Sequence, residues 1–197
     1  LYIHDPMCSW CWGFRPVWQE VQQQLDGKVE VRYLLGGLAA DTESPMPEDM
    51  RANIRTTWKR IQQEIPGTRF NYDFWEKCIP RRSTYPACRA IIACRMQRPN
   101  LEHDMLLSIQ QAYYLSAKNP SDTDTLVTLA EQLGLDARRF LDDLQSYFCQ
   151  NALAEEMAYC RKIDIYSFPS LVLKQGKSYT SLNIDYNSSA NILTQIL

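Results

Sequence analysis

The residues of this sequence best suited to chemistry are two cysteines three positions apart, in Cys8-Ser9-Trp10-Cys11. At that offset the two sulfurs can close into a small disulfide ring and reopen it, which makes them a two-electron redox couple. The pair stands where a short strand-like segment, Leu1 to Asp5, is broken by Pro6 and a helical pattern begins. The first turn of a helix leaves backbone N–H groups unpaired and carries partial positive charge. A thiolate placed there is stabilised, so Cys8 is expected to have a moderately lowered pKa set by the helix terminus rather than by a charged neighbour. Ser9 and Trp10 carry no charge, Ser9 adds one hydroxyl donor, and Asp5 would oppose a thiolate.

A lone Cys-x-x-Cys can also be half of a zinc site, but a closed site needs four ligands. There is no second such pair, and His4 and His103, the only histidines, have no ligand spacing between them. No metal is expected. His4 lies on the first strand, where it either touches the site or packs away from it. The other five cysteines read as small core hydrophobes. Cys149 and Cys160 share a helical stripe with Leu153 and Met157; eleven residues of helix put them about 16 Å apart, too far to bridge. Cys88 and Cys94 fall on a helix with Ile91 and Ile92, and Cys78 sits beside Phe74 and Trp75.

The elements that must position the pair are legible from periodicity. Phe14, Val17, Trp18, Val21 and Leu25 mark one helix face from Cys11 to Leu25, closed by Gly27. Val29 to Leu35 alternates into a strand ended by Gly36-Gly37, so the first 35 residues form a βαβ unit with parallel strands. From Pro47 to Ile163 the pattern is helical throughout. Helices are expected over Met50–Ile65, Tyr85–Gln97, Leu101–Tyr113, Ser121–Leu133 with a capping-box start, Asp136–Phe148 and Gln150–Lys162. The β signal returns with Leu171-Val172-Leu173, a turn at Lys174 to Lys177, a strand at Ser178 to Leu182, and a last helix from Asn191.

Composition narrows the functional classes. The 197 residues suit one elaborated domain, and 21 basic against 23 acidic residues give a net charge of −2. That balance argues against nucleic acid as a partner, which needs a concentrated basic surface. With 45% hydrophobic and 22% charged residues the chain is expected to be globular and soluble, and no apolar run is long enough to span a membrane. Seven scattered cysteines are odd in number and unlike the dense framework of a small secreted protein. No leader-like segment is visible, which sets the expectation of a reducing, cytoplasmic setting.

The segment Asp5-Pro6-Met7-Cys8-Ser9-Trp10-Cys11-Trp12-Gly13, the later Ser83-Thr84-Tyr85-Pro86-Ala87-Cys88-Arg89-Ala90 and the step Phe168-Pro169-Ser170 together resemble the DsbA-like thioredoxin superfamily, and within it the FrnE-like branch. The resemblance covers essentially the whole chain. It implies an α/β thioredoxin fold, βαβ plus β-hairpin and helix, carried by residues 1–45 and 164–197, with a large all-helical insertion at 46–163. It also implies a thiol–disulfide oxidoreductase or isomerase working through a mixed disulfide, with Cys8 as exposed nucleophile and Cys11 as buried resolving partner. A cis peptide is implied at Phe168-Pro169, leaving backbone groups of Phe168 free to pair with an extended substrate. Trp10 and Trp12 flank the pair and join Phe168 and Pro169 as expected substrate-binding residues.

Two departures bear on tuning: Ser9 stands where relatives often carry Pro, and bulky Phe168 stands where smaller residues are usual. The kappa-class glutathione transferases and chromene-carboxylate isomerases share the fold but keep a serine at the position of Cys8, so Cys8 and Cys11 together argue against that branch; a glutathione-dependent transferase or isomerase, in which Cys8 activates a bound ligand without cycling to a disulfide, is the alternative. The expected partners are protein or small-molecule thiols and disulfides. No bound cofactor is expected, and glutathione stays open as a co-substrate. The insertion is expected to form a lid over the cysteine-bearing helix with a groove between them, Tyr85 and Arg89 being candidates for its wall.

Overall fold

The computed structural model describes all 197 residues. Its core is a four-stranded sheet of β1 (Tyr2–His4), β2 (Tyr33–Leu35), β3 (Ser170–Gln175) and β4 (Ser178–Leu182) in the order β2-β1-β3-β4. Helix α1 (Ser9–Leu25) crosses from β1 to its parallel neighbour β2, with Ile3 opposite Leu34. β3 runs antiparallel to β1, with Tyr2 opposite Leu171, and β4 closes the hairpin. Alternation along a strand sends neighbours to opposite faces. Tyr2 and Leu171 pack with Phe14, Val21 and Leu25 of α1 and with Ile192 of the terminal helix, while Ile3 and Val172 pack on the other face with Leu34, Ile165 and Cys160.

Between β2 and β3 lie α2 (Glu48–Glu64), the single turn α3 (Phe74–Lys77), α4 (Tyr85–Gln97), α5 (Glu102–Tyr114), α6 (Thr123–Gln132), α7 (Ala137–Gln145) and α8 (Tyr147–Lys162); α9 (Ser189–Leu193) ends the chain. The seven helices enclose a core of their own around Trp58, Ile91, Ile109 and Phe140, which also takes in Met7 and Leu35 from the sheet side. The insertion therefore packs against the end of α1 that carries the cysteines. Gly13 makes the approach close: a Cβ there would lie 2.7 Å from Cδ1 of Ile65 and 3.1 Å from Cγ2 of Ile61. Trp58 Nε1 donates to Ser9 Oγ at 2.8 Å, tying α2 to the dipeptide between the cysteines.

Several boundaries differ from the sequence reading, each for a tertiary reason. The second strand is confined to Tyr33–Leu35, because β1 offers only three residues to pair with; Val29 and Val31 pack beside α1 without joining the sheet. α8 starts at Tyr147, not Gln150, since Ser146 accepts from the Cys149 amide and caps it. That places Tyr147 and Phe148 on the first turn, 81% and 63% exposed. Ser121 does not cap α6; Asp122 holds that position, and the buried Ser121 hydroxyl donates to Ser83 O instead. Lys174 and Gln175 remain in β3, leaving Gly176-Lys177 as the turn, and α9 begins at Ser189 behind the Ser188 cap. Cys149 and Cys160 both lie on α8 and are buried, but the first faces the helical core and the second the sheet.

Candidate functional site

Cys8 is the N-cap residue of α1, with extended backbone angles of φ −78° and ψ 117°, and Cys11 stands in the first turn. Cys8 is 6% exposed and Cys11 1%. The expectation of an exposed nucleophile is thus corrected: Cys8 is the more accessible of the two, yet the insertion and the segment before β3 cover most of it. The Phe168-Pro169 peptide is cis. Its Phe168 carbonyl accepts a hydrogen bond from the Cys8 thiol at 3.3 Å, so Cys8, Cys11 and Phe168 meet at one point from three parts of the chain.

The electrostatics separate the two sulfurs. Cys8 is lowered from its ordinary value, first by a hydrogen bond from the Cys11 thiol, then by the backbone amides of Cys11 and Trp10, against burial and the Asp5 charge. The leading cause is therefore the partner thiol, with the helix amides second, which corrects the sequence-based attribution. Ser9 Oγ accepts from Trp58 Nε1, and Ser9 is not among the leading causes of the Cys8 shift. Cys11 is pushed far up, by burial first and then by its bond to Cys8. As a coupled pair, the site loses its first proton from Cys8 and keeps the second on Cys11. The remaining five cysteines are all raised, each by burial first.

Asp5 is the residue whose role sequence reasoning missed. It is fully buried, and its carboxylate gathers the amides of Met7 (2.8 Å) and Leu38 (2.7 Å), the Thr84 hydroxyl (2.6 Å) and the Cys88 thiol (3.6 Å). It thereby pins the end of β1 to the segment after β2 and to the start of α4. Burial raises its pKa, opposed by those hydrogen bonds. The available signals were the Asp-Pro step before Cys8 and the Ser83-Thr84 pair. Because the Asp5 charge works against a Cys8 thiolate, Asp5→Asn is expected to move the midpoint of Cys8 alkylation against pH downward. A midpoint that stays put or rises would show that Asp5 acts on the thiol through position alone.

The tryptophans occupy separate places. Trp10 lies between the Arg60 guanidinium, 5.5 Å from its ring, and Tyr186, 5.1 Å away. Trp12 donates from Nε1 to Arg69 O at 3.0 Å, stacks on Tyr114 and lines a groove of about 590 Å³ between α1, the loop after α2, and α5. Tyr85 and Arg89 do not line this groove, contrary to expectation. Tyr85 abuts Gly37, and Arg89 is held by a two-point ion pair to Asp41 at 2.8 and 3.0 Å. No group of three or more His, Cys, Asp or Glu side chains is arranged to hold a metal ion, and no helix is long and apolar enough to cross a membrane.

A dithiol at a strand-to-helix junction, facing a cis Phe-Pro step on a β2-β1-β3-β4 sheet with helices inserted after β2, defines a DsbA-like thioredoxin-fold protein. The chain belongs to the thioredoxin family, whose model matches residues 1–195. It is similar to the solved structure of a candidate protein disulfide isomerase from Nitrosomonas europaea, at 27% identity and a TM-score of 0.86 over 99% of this chain and 93% of that one. It is also similar to the cytosolic disulfide reductase DsbM from Pseudomonas aeruginosa, at 23% identity and a TM-score of 0.74 over 92% and 87% of the two chains; DsbM has also been solved with glutathione. Among curated proteins it is similar to the ClpXP adapter protein SpxH of Halalkalibacterium halodurans, 25% identical over 85% of this chain and 56% of that protein, and to that of Bacillus subtilis, 25% identical over 85% and 55%. The chain spans little more than half the length of these adapters.

Proposed function

We propose that this chain is a thiol–disulfide oxidoreductase of the FrnE-like branch, working in the cytoplasm on protein or small-molecule disulfides through a mixed disulfide on Cys8. The observation that carries the reading is that Cys8 alone among seven cysteines is shifted toward its thiolate, while its hydrogen-bond partner Cys11 keeps a proton. A lowered thiol near ambient pH is both ionised and nucleophilic. Cys8 attacks a substrate disulfide and releases one thiolate; Cys11 then attacks Cys8, releases the second, and leaves the protein pair oxidised. Phe168, Pro169, Trp10 and Trp12 are assigned to the substrate surface. Glutathione is proposed as the co-substrate that resets the pair, supported by the DsbM structure that contains it.

The kappa-type transferase or isomerase needs only one activated group, and a second thiol at Cys11, in the first turn of the helix that Cys8 caps, argues for a cycle that uses both. The expected result for Cys11→Ser is a stable mixed disulfide at Cys8, visible by mass spectrometry, with turnover of disulfides lost. Turnover at the parental rate would replace the two-thiol cycle with the transferase reading. The resemblance to the SpxH adapters supports a protein rather than a small molecule as the natural disulfide carrier.

A further inference from the structure

The groove lined by Trp12 holds about 590 Å³, in the range of clefts that seat a ligand. Trp12, Arg15 and Gln19 give it one wall, and they follow Cys8 at the four-, seven- and eleven-residue steps of a single helix face. The loop from Ile65 to Arg69 gives it another. Tyr186, also in the lining, packs on Trp10 between the two cysteines, 5.1 Å from its ring, so groove and dithiol adjoin. The loop is held by its backbone: Trp12 Nε1 donates to Arg69 O at 3.0 Å and Gln62 Nε2 to Thr68 O at 3.3 Å. The Arg69 side chain is left exposed to solvent.

The charge on this groove is one-sided. Arg15 and Arg69 both line it, and neither forms an ion pair or donates a side-chain hydrogen bond. No Asp or Glu lines it, in a chain whose acidic residues outnumber the basic ones by 23 to 21. The carboxylates next to it in sequence are engaged elsewhere. Glu64 pairs with Arg60 at 2.7 Å, Glu20 accepts from the Ser189 hydroxyl, and Asp185 accepts from the amides of Asn187 and Ser188 and from Asn191 Nδ2. Arg15 is half-buried, which screens its charge less than that of a fully exposed arginine.

We infer that this groove binds an acidic segment of the polypeptide whose disulfide Cys8 attacks. The inference rests on the mixed-disulfide cycle proposed above and names its substrate class. Seven residues of helix put Arg15 about 10 Å along α1 from Cys8, and an extended chain covers that span in about three residues. A carboxylate three or four residues from the substrate cysteine therefore meets Arg15. The two cations stand on separate walls, α1 and the loop, which suits a segment lying along the cleft better than one small anion. Val17, Leu107 and Leu115 offer apolar surface to the rest of that segment.

The test uses the reduced protein and short peptides whose single cysteine carries a 2-pyridyl disulfide, with Glu, Gln or Lys about three residues away. Attack by Cys8 on the peptide sulfur forms the mixed disulfide and expels pyridine-2-thiolate, which takes a proton from solvent and is followed by absorbance. The glutamate peptide should react about ten-fold faster than the glutamine peptide at low salt, the low end of what a cleft of one charge sign adds to association. The lysine peptide should be slower than both, and the differences should shrink as salt is raised. Arg15→Gln and Arg69→Gln should each lower the glutamate-to-glutamine ratio, and the double variant should bring it near one. Arg69→Gln, at an exposed position, serves alone if Arg15→Gln does not fold. Equal rates for the three peptides on the parent, or a glutamate preference that survives in the folded variants, would overturn the inference. So would loss of that preference on adding S-methylglutathione at the peptide's own concentration, which would assign the groove to the tripeptide instead. A Cys8→Ser protein that expels pyridine-2-thiolate at the parental rate would instead remove the mixed-disulfide cycle on which the inference rests.

Discussion

Gly36→Ala is expected to destabilise the protein by about 1–3 kcal/mol, the usual cost of forcing extra volume into a packed site. A Cβ at Gly36 would fall 1.9, 2.1 and 2.6 Å from Cε1, Cζ and Cδ1 of Phe168. No small adjustment accommodates that overlap, so the ring must leave its seat. The Gly36 amide meanwhile donates to His4 O at 2.7 Å, which holds the glycine in line with the sheet and prevents it from yielding instead. Phe168 is the residue whose carbonyl meets the Cys8 thiol, and Pro169 behind it is buried. Displacing the ring therefore disturbs the surface that a substrate disulfide must approach, and turnover should fall by more than the unfolded fraction accounts for. Urea unfolding at unchanged m gives the stability loss. Adding Phe168→Ala removes the clash, so the double variant should be much more stable than the sum of the two single losses predicts. Strict additivity would show that Gly36 and Phe168 are not coupled, and that the bulky residue before Pro169 has no structural reason to face a glycine.

The sequence carried the architecture because its signals are local. The stripe from Phe14 to Leu25, the alternation into Leu35, and the return of β character at Leu171 depend on neighbours within a turn or a strand. The dithiol and the Phe-Pro step were legible for the same reason, as short motifs with a mechanism attached. What the sequence concealed depends on distant partners. Asp5 reads as a charge that would harm a thiolate, and only its bonds to residues 33, 79 and 83 positions away make it the anchor of the site. Val29 to Val31 has a strand's alternation but no strand opposite to pair with. Cys8 reads as an exposed helix-start thiol, and it is buried because residues 160 positions later fold over it. Distance also hid Arg15 and Arg69, which line one groove only after the helical insertion has folded back on α1.

Acidification is expected to destabilise the chain through His4, beginning near neutrality. His4 is 1% exposed, stacked flat on Tyr2 and met edge-on by Tyr33, and its Nδ1 has no partner. Burial first, then the positive charges of His103 and Arg95, pull its pKa down to about 3. In the unfolded chain an ordinary histidine titrates near 6.5. Between pH 6.5 and about 3 the unfolded state thus binds a proton that the folded state refuses. Stability then rises with pH across that window and falls on acidification, by about 1.4 kcal/mol for each pH unit below 6.5. Above 6.5 both states hold a neutral imidazole and His4 contributes no slope. Asp5 works the other way: its raised folded pKa means the folded state holds a proton longer, which favours folding on the acid side of that titration. Comparing the parent with His4→Phe, which keeps an aromatic ring and cannot take a proton, removes the Asp5 contribution because it is common to both. The stability difference between the two proteins should be constant above pH 6.5 and shift steadily toward the variant as pH falls to 5 and below. A difference independent of pH would mean that His4 takes up its proton as readily in the folded protein as in the unfolded chain, and the buried aromatic stack under the dithiol would have to be redrawn around a group that solvates or pairs that charge.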